Sequence, residues 1–365
     1  MRARLITCLA IFSLMGLSNA VVPLLPLYSQ GSSLQGAIYA AYFFGAFAIT
    51  LPAGMLADRF GRGAIMRSGL FITIPGGLLL GVSLDPTVVI AARLLEGFGA
   101  GLFVAAAMAY INTLPDHKVM SGYYFASLNA GLVLGLAVSG LLAVHVAAAS
   151  GIVLFTGACF SAAVLSLAVP EPSRVQGPDP AAALSDLIRT CRRFWVSAIV
   201  LIGITGIVIS LYPSFSPAPA DIDSVWIAGM SLSTILASLI VSRIPLEPVK
   251  TIRTGGVLMA AGVIVIPWSP VGFIVVGAAA GIVMVAQMDF LSRSGGHQGT
   301  AMGLFSTTSY LGMSLLPFLA GILADRTGYT ATFLVVAGTA LAAAFLIGKF
   351  PREQNPVGHI MGQRR

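Results

Sequence analysis

The stretch Gly54-Met-Leu-Ala-Asp-Arg-Phe-Gly61 ends a long apolar run, and a near copy, Gly321-Ile-Leu-Ala-Asp-Arg-Thr-Gly328, ends another. Each copy places an Asp-Arg pair where an apolar segment meets a turn. The number of apolar segments between the copies puts one at the inner and the other at the outer surface of a membrane. Inverted repeats of this kind occur in transporters whose halves rock about a central site. The two copies therefore predict a repeated architecture within a membrane.

The composition of the whole chain agrees with a membrane protein. Of the 365 residues, 57% are hydrophobic and 9% are charged. An ordinary soluble domain carries about 25% charged residues. This sequence therefore lacks the polar surface needed to cover a globule in water, which excludes a soluble enzyme.

Twelve apolar segments of near-bilayer length follow one another along the chain. They lie at about 5–27, 34–57, 65–83, 88–112, 120–143 and 148–169, and then at about 194–213, 224–242, 254–267, 271–288, 299–324 and 332–348. We predict an all-α membrane protein with twelve transmembrane helices in two pseudo-symmetric six-helix bundles around a central cavity. The predicted domains are an N-terminal bundle at 1–170, a cytoplasmic linker at 171–193, a C-terminal bundle at 194–350 and a cytoplasmic tail at 351–365.

The linker is polar and rich in proline and arginine. Part of it, Ala181–Arg193, can form an amphipathic helix that lies on the membrane, with Leu184, Leu187 and Ile188 inward.

Lysine and arginine residues predict the orientation, because basic residues in short loops stay in the cytoplasm. With both termini inside, 18 of the 20 basic residues are cytoplasmic, Arg326 is external and Arg93 falls within a segment. An odd number of crossings would destroy this asymmetry. We therefore predict a multi-pass protein of the plasma membrane with both termini in the cytoplasm.

The residues between the second and third segments resemble the signature G-x-L-x-D-R-x-G-R of the major facilitator superfamily. The matching residues are Gly54, Asp58, Arg59, Gly61 and Arg62. Glycine permits close helix approach, and an aspartate can face the positive N-terminal end of a neighbouring helix. The resemblance covers nearly the whole chain and implies that helix 11 is this neighbour. The five residues are then a conformational latch on the cytoplasmic side; the alternative is a basic topology anchor with a helix stop.

Arg93 and Glu96 lie in a stretch of helix 4, Arg93-Leu-Leu-Glu-Gly-Phe-Gly99, that resembles the family's R-x-x-Q-G-x-G segment. They share one helical face and can pair. A charge inside the membrane is costly and normally faces a cavity or a partner. We predict proton coupling, in which Glu96 gains and loses a proton beside Arg93; a purely structural pair is the alternative, since the family more often has Gln at position 96.

Gly131, Gly135 and Gly140 in helix 5 have a spacing that permits close helix packing. The stretch resembles the G-x-x-x-G-P-x-x-G-G segment of the family's drug/proton antiporters. Leu136 stands in place of its proline and Ser139 in place of one glycine. The pattern is nearest to drug/proton antiporter-like members, although the missing proline counts against antiport.

By the same resemblance, helices 1, 4, 7 and 10 line the central cavity, and helices 2, 5, 8 and 11 flank it. The candidates for substrate contact are Asn19, Tyr42, Asn129, Thr205, Gln287 and Tyr310. Each also fits an ordinary hydrogen bond between helices. With Arg93 and Glu96 as the only deep charges, a neutral or weakly cationic amphipathic solute fits better than a phosphorylated one. Asp289 and Arg293, four residues apart in helix 10, fit a solvated surface pair.

The function predicted from these residues is secondary active transport by alternating access, with proton-coupled export of a small amphipathic solute. The alternatives are uptake or facilitated diffusion of a sugar or small metabolite, and a non-transporting membrane receptor or scaffold. The expected partners are a small-molecule substrate, protons and the lipid bilayer, without nucleic acid. The family resemblance implies a monomer.

The sequence does not predict an enzyme. The histidines are His117, His145, His297 and His359, and all of them fall in loops or in the tail. No catalytic or metal-binding cluster can therefore assemble within the membrane, and no phosphate-binding G-x-x-x-x-G-K-[ST] occurs. We expect no metal and no cofactor, with the proton gradient as the energy source.

Overall fold

The computed structural model describes residues 2–28, 32–168, 180–216, 220–293 and 298–347. These ranges contain twelve helices of 18 or more residues and no strand. The first six are α1 (Arg2–Ala20), α2 (Ser32–Phe60), α3 (Arg62–Val82), α4 (Pro86–Asn112), α5 (His117–His145) and α6 (Ser150–Leu167). The second six are α7 (Arg192–Phe215), α8 (Ala220–Val241), α9 (Pro248–Val265), α10 (Val271–Ser292), α11 (Gln298–Thr327) and α12 (Tyr329–Leu346). A linker helix, Pro180–Thr190, precedes α7.

Eleven of these helices are long and apolar enough to cross a membrane, and the apolar part of α8 is Val225–Val241. The predicted all-α membrane fold with two sets of six helices is confirmed. Helix α9 begins at Pro248 rather than near 254. Proline is favoured in the first turn of a helix, where its missing N–H leaves no internal bond unmade. Residues 248–253, which include Lys250, Thr251 and Arg253, therefore extend the helix beyond its apolar part.

Both copies of the Asp-Arg stretch end at a glycine with a positive φ angle. Among the described residues, positive φ angles occur only at Gly61 (104°) and Gly328 (83°). Each of these glycines is the single residue between two long helices, α2 and α3 in one case and α11 and α12 in the other. Glycine adopts this conformation without the penalty that a Cβ atom brings. The sequence similarity therefore corresponds to a structural repeat.

The two halves meet mainly through two pairs of helices. Helix α2 packs on α11, and α5 packs on α8, with α4 adding contacts to α11. Within the halves, α1 packs on α5 and α6, while α7 packs on α11 and α12. The polar contacts between the halves lie at the end where α2 stops and α11 starts. We call this the basic end, because Arg59, Arg62, Lys118 and Arg243 lie there.

The linker helix packs against α2, α11 and α7. Leu187 is buried, and its carbonyl oxygen accepts a hydrogen bond of 3.1 Å from Nε1 of Trp195 at the start of α7. Leu184 is half-buried, and Ile188 is 46% exposed on the surface of the protein. Leu184, Leu187 and Cys191 form one helical stripe, and Ile188 lies beside it. The linker helix therefore joins the two halves at the basic end.

Helix α5 approaches α1 through two of its three predicted packing glycines. A Cβ atom on Gly131 would collide with the carbonyl oxygen of Phe12, and one on Gly135 with that of Gly16. Among the described residues, a Cβ on Gly140 would meet only the Pro23 ring, at an ordinary 3.8 Å. The close backbone approach therefore depends on Gly131 and Gly135.

Replacement of Gly135 by alanine is expected to destabilise the protein by about 1–3 kcal/mol, the usual cost of overpacking. Gly140→Ala is the matched control, because both changes gain the same helix propensity and only one creates a collision. Thermal unfolding in detergent should give a lower melting temperature for Gly135→Ala alone. Equal melting temperatures for the two variants would contradict the packing described for α1 and α5.

Candidate functional site

The carboxylate of Asp58, at the end of α2, caps the first turn of α11. Oδ1 accepts a hydrogen bond from the Gly299 N–H at 2.8 Å. Oδ2 accepts from the Thr300 N–H at 2.8 Å and from the Thr300 Oγ1 at 2.9 Å. The first N–H groups of a helix have no partner within the helix, and the helix dipole favours a negative charge beside them. One buried carboxylate therefore binds the two halves together.

This contact needs glycine on both helices. A Cβ atom on Gly54 would collide with the carbonyl oxygen of Gly299, and one on Gly303 would lie 2.7 Å from that of Thr50. The hydroxyl groups of Thr50 and Thr307 lie 2.9 Å apart. They continue the contact one helical turn farther from the basic end. The backbones of α2 and α11 therefore touch directly at the basic end.

The two arginines of the predicted latch have different surroundings. Arg62 is buried, with Nη2 3.8 Å from Oδ1 of Asp58. The guanidinium of Arg59 is exposed and lies 5.3 Å from the ring centroid of Phe60. The structure brings Gly54, Asp58 and Arg62 together around the turn at Gly61, whereas Arg59 stays at the surface.

A second contact between the halves was not predicted. Asn112, the last residue of α4, donates a hydrogen bond of 3.1 Å to Oε1 of Gln298 and a longer one of 3.4 Å to the Met288 carbonyl. Nε2 of Gln298 donates to the carbonyl oxygens of Leu291 and Ser292, each at 3.2 Å. The only sequence signal is a polar residue at the edge of an apolar segment, which does not identify its partner.

Asp289 corrects the prediction of a solvated surface pair. It does lie 3.1 Å from Arg293, Oδ2 to Nη2, but it is only 4% exposed. Its Oδ1 lies 3.1 Å from Nε2 of His117, the first residue of α5. Helix α5 covers the face of α10 that the spacing alone assigns to solvent. His117, predicted in a loop, thus belongs to the contact between the halves.

The same end is held by two further basic residues. Nζ of Lys118 donates to the carbonyl of Ile244 after α8, and Nη2 of Arg243 donates to the hydroxyl of Tyr123 at 2.9 Å. At the opposite end, a Cβ on Gly321 would meet no atom of the described residues within 4 Å. The described contacts therefore close the basic end of the molecule.

Arg93 and Glu96 form an ion pair inside the N-terminal half. Nη1 of Arg93 lies 2.7 Å from Oε2 of Glu96 and donates to the Ser18 carbonyl at 3.1 Å. The guanidinium carbon stands 4.7 Å from the ring centroid of Tyr42. Arg93 is 1% exposed and Glu96 0%. The pair therefore joins α1, α2 and α4 and does not line an open cavity in this conformation.

The predicted substrate contacts fall into two groups. Tyr42 and Tyr310 belong to an aromatic chain, since the Phe43 ring centroid lies 5.3 Å from that of Tyr42 and 6.4 Å from that of Tyr310. Tyr39 extends this chain, with its centroid 5.1 Å from that of Phe43. The chain crosses from α2 to α11 and brings an aromatic surface to the boundary between the halves.

The other four candidates are held within single halves. Asn19 donates to the Leu132 carbonyl at 2.9 Å and joins α1 to α5. Asn129 and Thr205 donate to backbone carbonyls one turn earlier in their own helices. Gln287 is fully buried, and its amide atoms have no hydrogen-bond partner among the described residues. The structure therefore does not gather these four side chains into one site.

The sequence profile described as Major Facilitator Superfamily matches residues 6–317 and, in a second match, residues 249–360. The chain belongs to the Major Facilitator Superfamily. Membership therefore confirms the predicted family, and the protein is a transporter embedded in the membrane by multiple crossings.

Two relatives of this superfamily chain are named for resistance. It is 25% identical over 341 residues to multidrug resistance protein 2 of Bacillus subtilis, covering 84% of each chain. It is 28% identical over 130 residues to the quinolone resistance protein NorA of Staphylococcus aureus, covering 34% of each.

Solved structures of the superfamily share the fold. The human organic anion transporter MFSD10 superposes with a TM-score of 0.80 at 18% identity, covering 95% of this chain and 99% of that one. The fucose:proton symporter FucP of E. coli gives 0.78 at 16% identity, covering 94% and 97%. At these identities the likeness concerns the fold alone.

Asp58→Asn is expected to open the basic end. An amide offers one acceptor oxygen and turns N–H donors toward the N–H groups of α11, and charge-assisted hydrogen bonds contribute about 1.5–3 kcal/mol. The ratio of closed to open molecules should fall about tenfold or more. The measurement is the distance between spin labels on cysteines placed at the exposed positions Pro115 and Leu246, with the native cysteines replaced. A longer distance between these labels means an open basic end.

Arg59→Gln is the control for this change, because Arg59 belongs to the same motif but is exposed. It should leave the distance distribution unchanged. An unchanged distribution in Asp58→Asn would show that the capping contact does not hold the basic end closed.

Proposed function

We propose that this transporter exports small amphipathic molecules from the cell in exchange for protons. The carrying observation is the fully buried Arg93–Glu96 pair, an ionisable pair within the membrane that contacts both α1 and α2. Ionisable residues at such depth mark proton or substrate pathways by default. The likeness to proteins named for multidrug and quinolone resistance supports export of amphipathic compounds.

The orientation we propose places the basic end and both termini in the cytoplasm of a plasma membrane. The support is the positive-inside rule together with the position of Arg59, Arg62, Lys118 and Arg243 at one end of the helices. The cytoplasmic side is then closed in this conformation, and the next step of the cycle is binding of a proton from outside. We also propose that it works as a monomer, without cofactor or metal and without nucleic acid.

Protonation of Glu96 would change the balance of contacts around Arg93. A neutral carboxyl group can still accept a hydrogen bond from Arg93, but it is no longer a counter-charge. Arg93, held otherwise by the Ser18 carbonyl and the Tyr42 ring, is then an uncompensated buried charge. Movement of α1 or α2 that brings water or substrate to Arg93 relieves this cost. Helix α2 also carries Asp58, so one helix connects the proton site to the latch.

The proposed substrate is neutral or weakly cationic. The aromatic chain of Tyr39, Phe43 and Tyr310 offers flat apolar faces at the boundary between the halves, and aromatic faces attract cationic ligands. The ion pair beside it has no net charge. An anionic or phosphorylated substrate would find no unpaired cation here among the described contacts.

The alternatives have less support. Uptake of a sugar has its parallel in FucP, but that likeness is one of fold. A non-transporting scaffold would not need the hydrogen-bonded closure at Asp58, Asn112 and His117, which consists of polar contacts that water can replace when the halves separate.

Glu96→Gln is expected to abolish proton-coupled export, because it keeps the shape of the side chain and removes its titration. Accumulation of a panel of fluorescent amphipathic compounds is measured in efflux-deficient cells, with and without a protonophore. Wild type should lower accumulation at least severalfold, and both the protonophore and Glu96→Gln should cancel this effect.

Glu247→Gln is the matched control. Glu247 lies in the exposed loop before α9, where a hydrogen bond from Lys250 holds the pKa of its carboxyl below the ordinary value. The control removes one carboxylate outside the membrane and should export like wild type. Full export by Glu96→Gln would leave the Arg93–Glu96 pair a structural one, and no export of any compound by wild type would favour uptake.

A further inference from the structure

The side chain of Tyr124 on α5 is fully buried, and its hydroxyl group has no hydrogen-bond partner among the described residues. A buried tyrosine hydroxyl usually finds a partner, because an unpaired polar group costs free energy in an apolar interior. Tyr28 shows the usual case, since its hydroxyl donates to the Leu80 carbonyl at 2.7 Å. Packing alone does not account for the hydroxyl of Tyr124, because phenylalanine would fill the same space without this cost.

Tyr124 lies at the boundary between the halves. Its phenol group is close enough to interact electrostatically with that of Tyr310 on α11 and with the thiol of Cys8 on α1. Tyr310 in turn contacts the Phe43 ring on α2. Tyr124 therefore brings a third helix, α5, to the aromatic chain of Tyr39, Phe43 and Tyr310, and adds a hydroxyl group without an internal partner.

A second hydroxyl group, that of Ser306, lies at a similar depth on α11. Tyr124 comes seven residues after the start of α5, and Ser306 comes eight after the start of α11. Both helices start at the basic end, so each side chain is about 10–12 Å along its helix from that end. Ser306 is buried, and among the described residues its hydroxyl donates to the thioether sulfur of Met108 at 3.6 Å. A thioether is a weak acceptor, so Ser306 can take a stronger one at little cost.

These two hydroxyl groups, which we call the hydroxyl pair, lie where the helices become fully buried. On α5, residues 127–130 are half-buried and residues 124–126 are buried. On α11, residues 309–311 are half-buried and residues 298–306 are buried. The closing contacts of Asp58 and Asn112 lie nearer to the basic end. Opening of that end therefore exposes the hydroxyl pair to a molecule that enters from the cytoplasm.

We propose that Tyr124 and Ser306 recognise an uncharged hydrogen-bond acceptor, such as a ring carbonyl, on the exported molecule. The inference rests on the proposed export and narrows its substrates to flat amphipathic molecules with such an acceptor. Ser306 already donates in the closed conformation, and the unpaired phenol of Tyr124 has a proton to donate. The aromatic chain packs on the flat body of the molecule, while the hydroxyl pair binds its carbonyl oxygen.

The test uses two probes with the same three fused rings. N-methylacridone is neutral and carries a ring carbonyl, whereas N-methylacridinium has no carbonyl. Their dissociation constants are measured by fluorescence with purified protein in lipid nanodiscs, for the wild-type chain and for Asp58→Asn, whose basic end is expected to open. Tyr124→Phe, in either background, should weaken binding of N-methylacridone about three- to tenfold, the usual size of one hydrogen bond between uncharged groups. Ser306→Ala should act in the same way, and N-methylacridinium should bind within about twofold of the unchanged chain.

Thermal unfolding separates recognition from packing. The melting temperature of Tyr124→Phe should not fall, because the hydroxyl that it removes has no partner among the described residues. Tyr28→Phe is the matched control, since it removes a hydroxyl that donates to the Leu80 carbonyl. It should lower the melting temperature and should not discriminate between the two probes.

The proposal is overturned if Tyr124→Phe weakens both probes equally, if it leaves N-methylacridone binding unchanged, or if N-methylacridone binds neither the wild type nor Asp58→Asn. Probe binding needs no proton gradient, so its outcome is independent of the export experiment. If Glu96→Gln exports normally while Tyr124→Phe loses N-methylacridone selectively, proton coupling through Glu96 is wrong and the hydroxyl pair stands. If Glu96→Gln abolishes export while Tyr124→Phe binds both probes like wild type, the export proposal stands and the hydroxyl pair is wrong.

Discussion

The closed arrangement depends on one buried carboxylate, that of Asp58, placed on the first turn of a helix from the other half. It accepts three hydrogen bonds from Gly299 and Thr300, and Arg62 beside it balances its charge at 3.8 Å. Such a contact is strong enough to hold two bundles but consists of groups that water can satisfy. Apolar packing alone could not discriminate between closed and open states in lipid, because the lipid tails are as apolar as the side chains.

Helix α2 connects this contact to the Arg93–Glu96 ion pair. Tyr42 on α2 lies over the Arg93 guanidinium, its neighbour Phe43 meets Tyr310 on α11, and Asp58 ends the same helix. A change in the ion pair that displaces Tyr42 therefore acts on the element that carries the latch. Gly97 permits this arrangement, because a Cβ there would collide with the Tyr42 carbonyl. The ion pair and the latch therefore share one helix, in which Pro52 lies between Tyr42 and Asp58.

The sequence predicted those features that depend on local pattern. Hydropathy located the twelve helices. The motif around Asp58 is recognisable along the chain, and its resemblance to the family signature implied the contact with helix 11. Other contacts between distant helices were missed. Asp289 received the wrong surroundings, because helical spacing shows which residues share a face but not which helix covers it. His117 and Asp289 are 172 residues apart, and no local pattern connects them.

The contact between α1 and α5 shows why the fold accepts Leu136, which stands where the antiporter segment has proline. A proline at position 136 would remove the N–H that bonds the carbonyl four residues earlier, that of Leu132. Here Leu136 keeps that donor, and the Leu132 carbonyl also accepts a hydrogen bond from Asn19 on α1 at 2.9 Å. A carbonyl oxygen has two lone pairs and can serve both donors. The helix therefore needs no kink to bind its neighbour: Gly131 and Gly135 bring the backbones together, and Asn19 fixes their register.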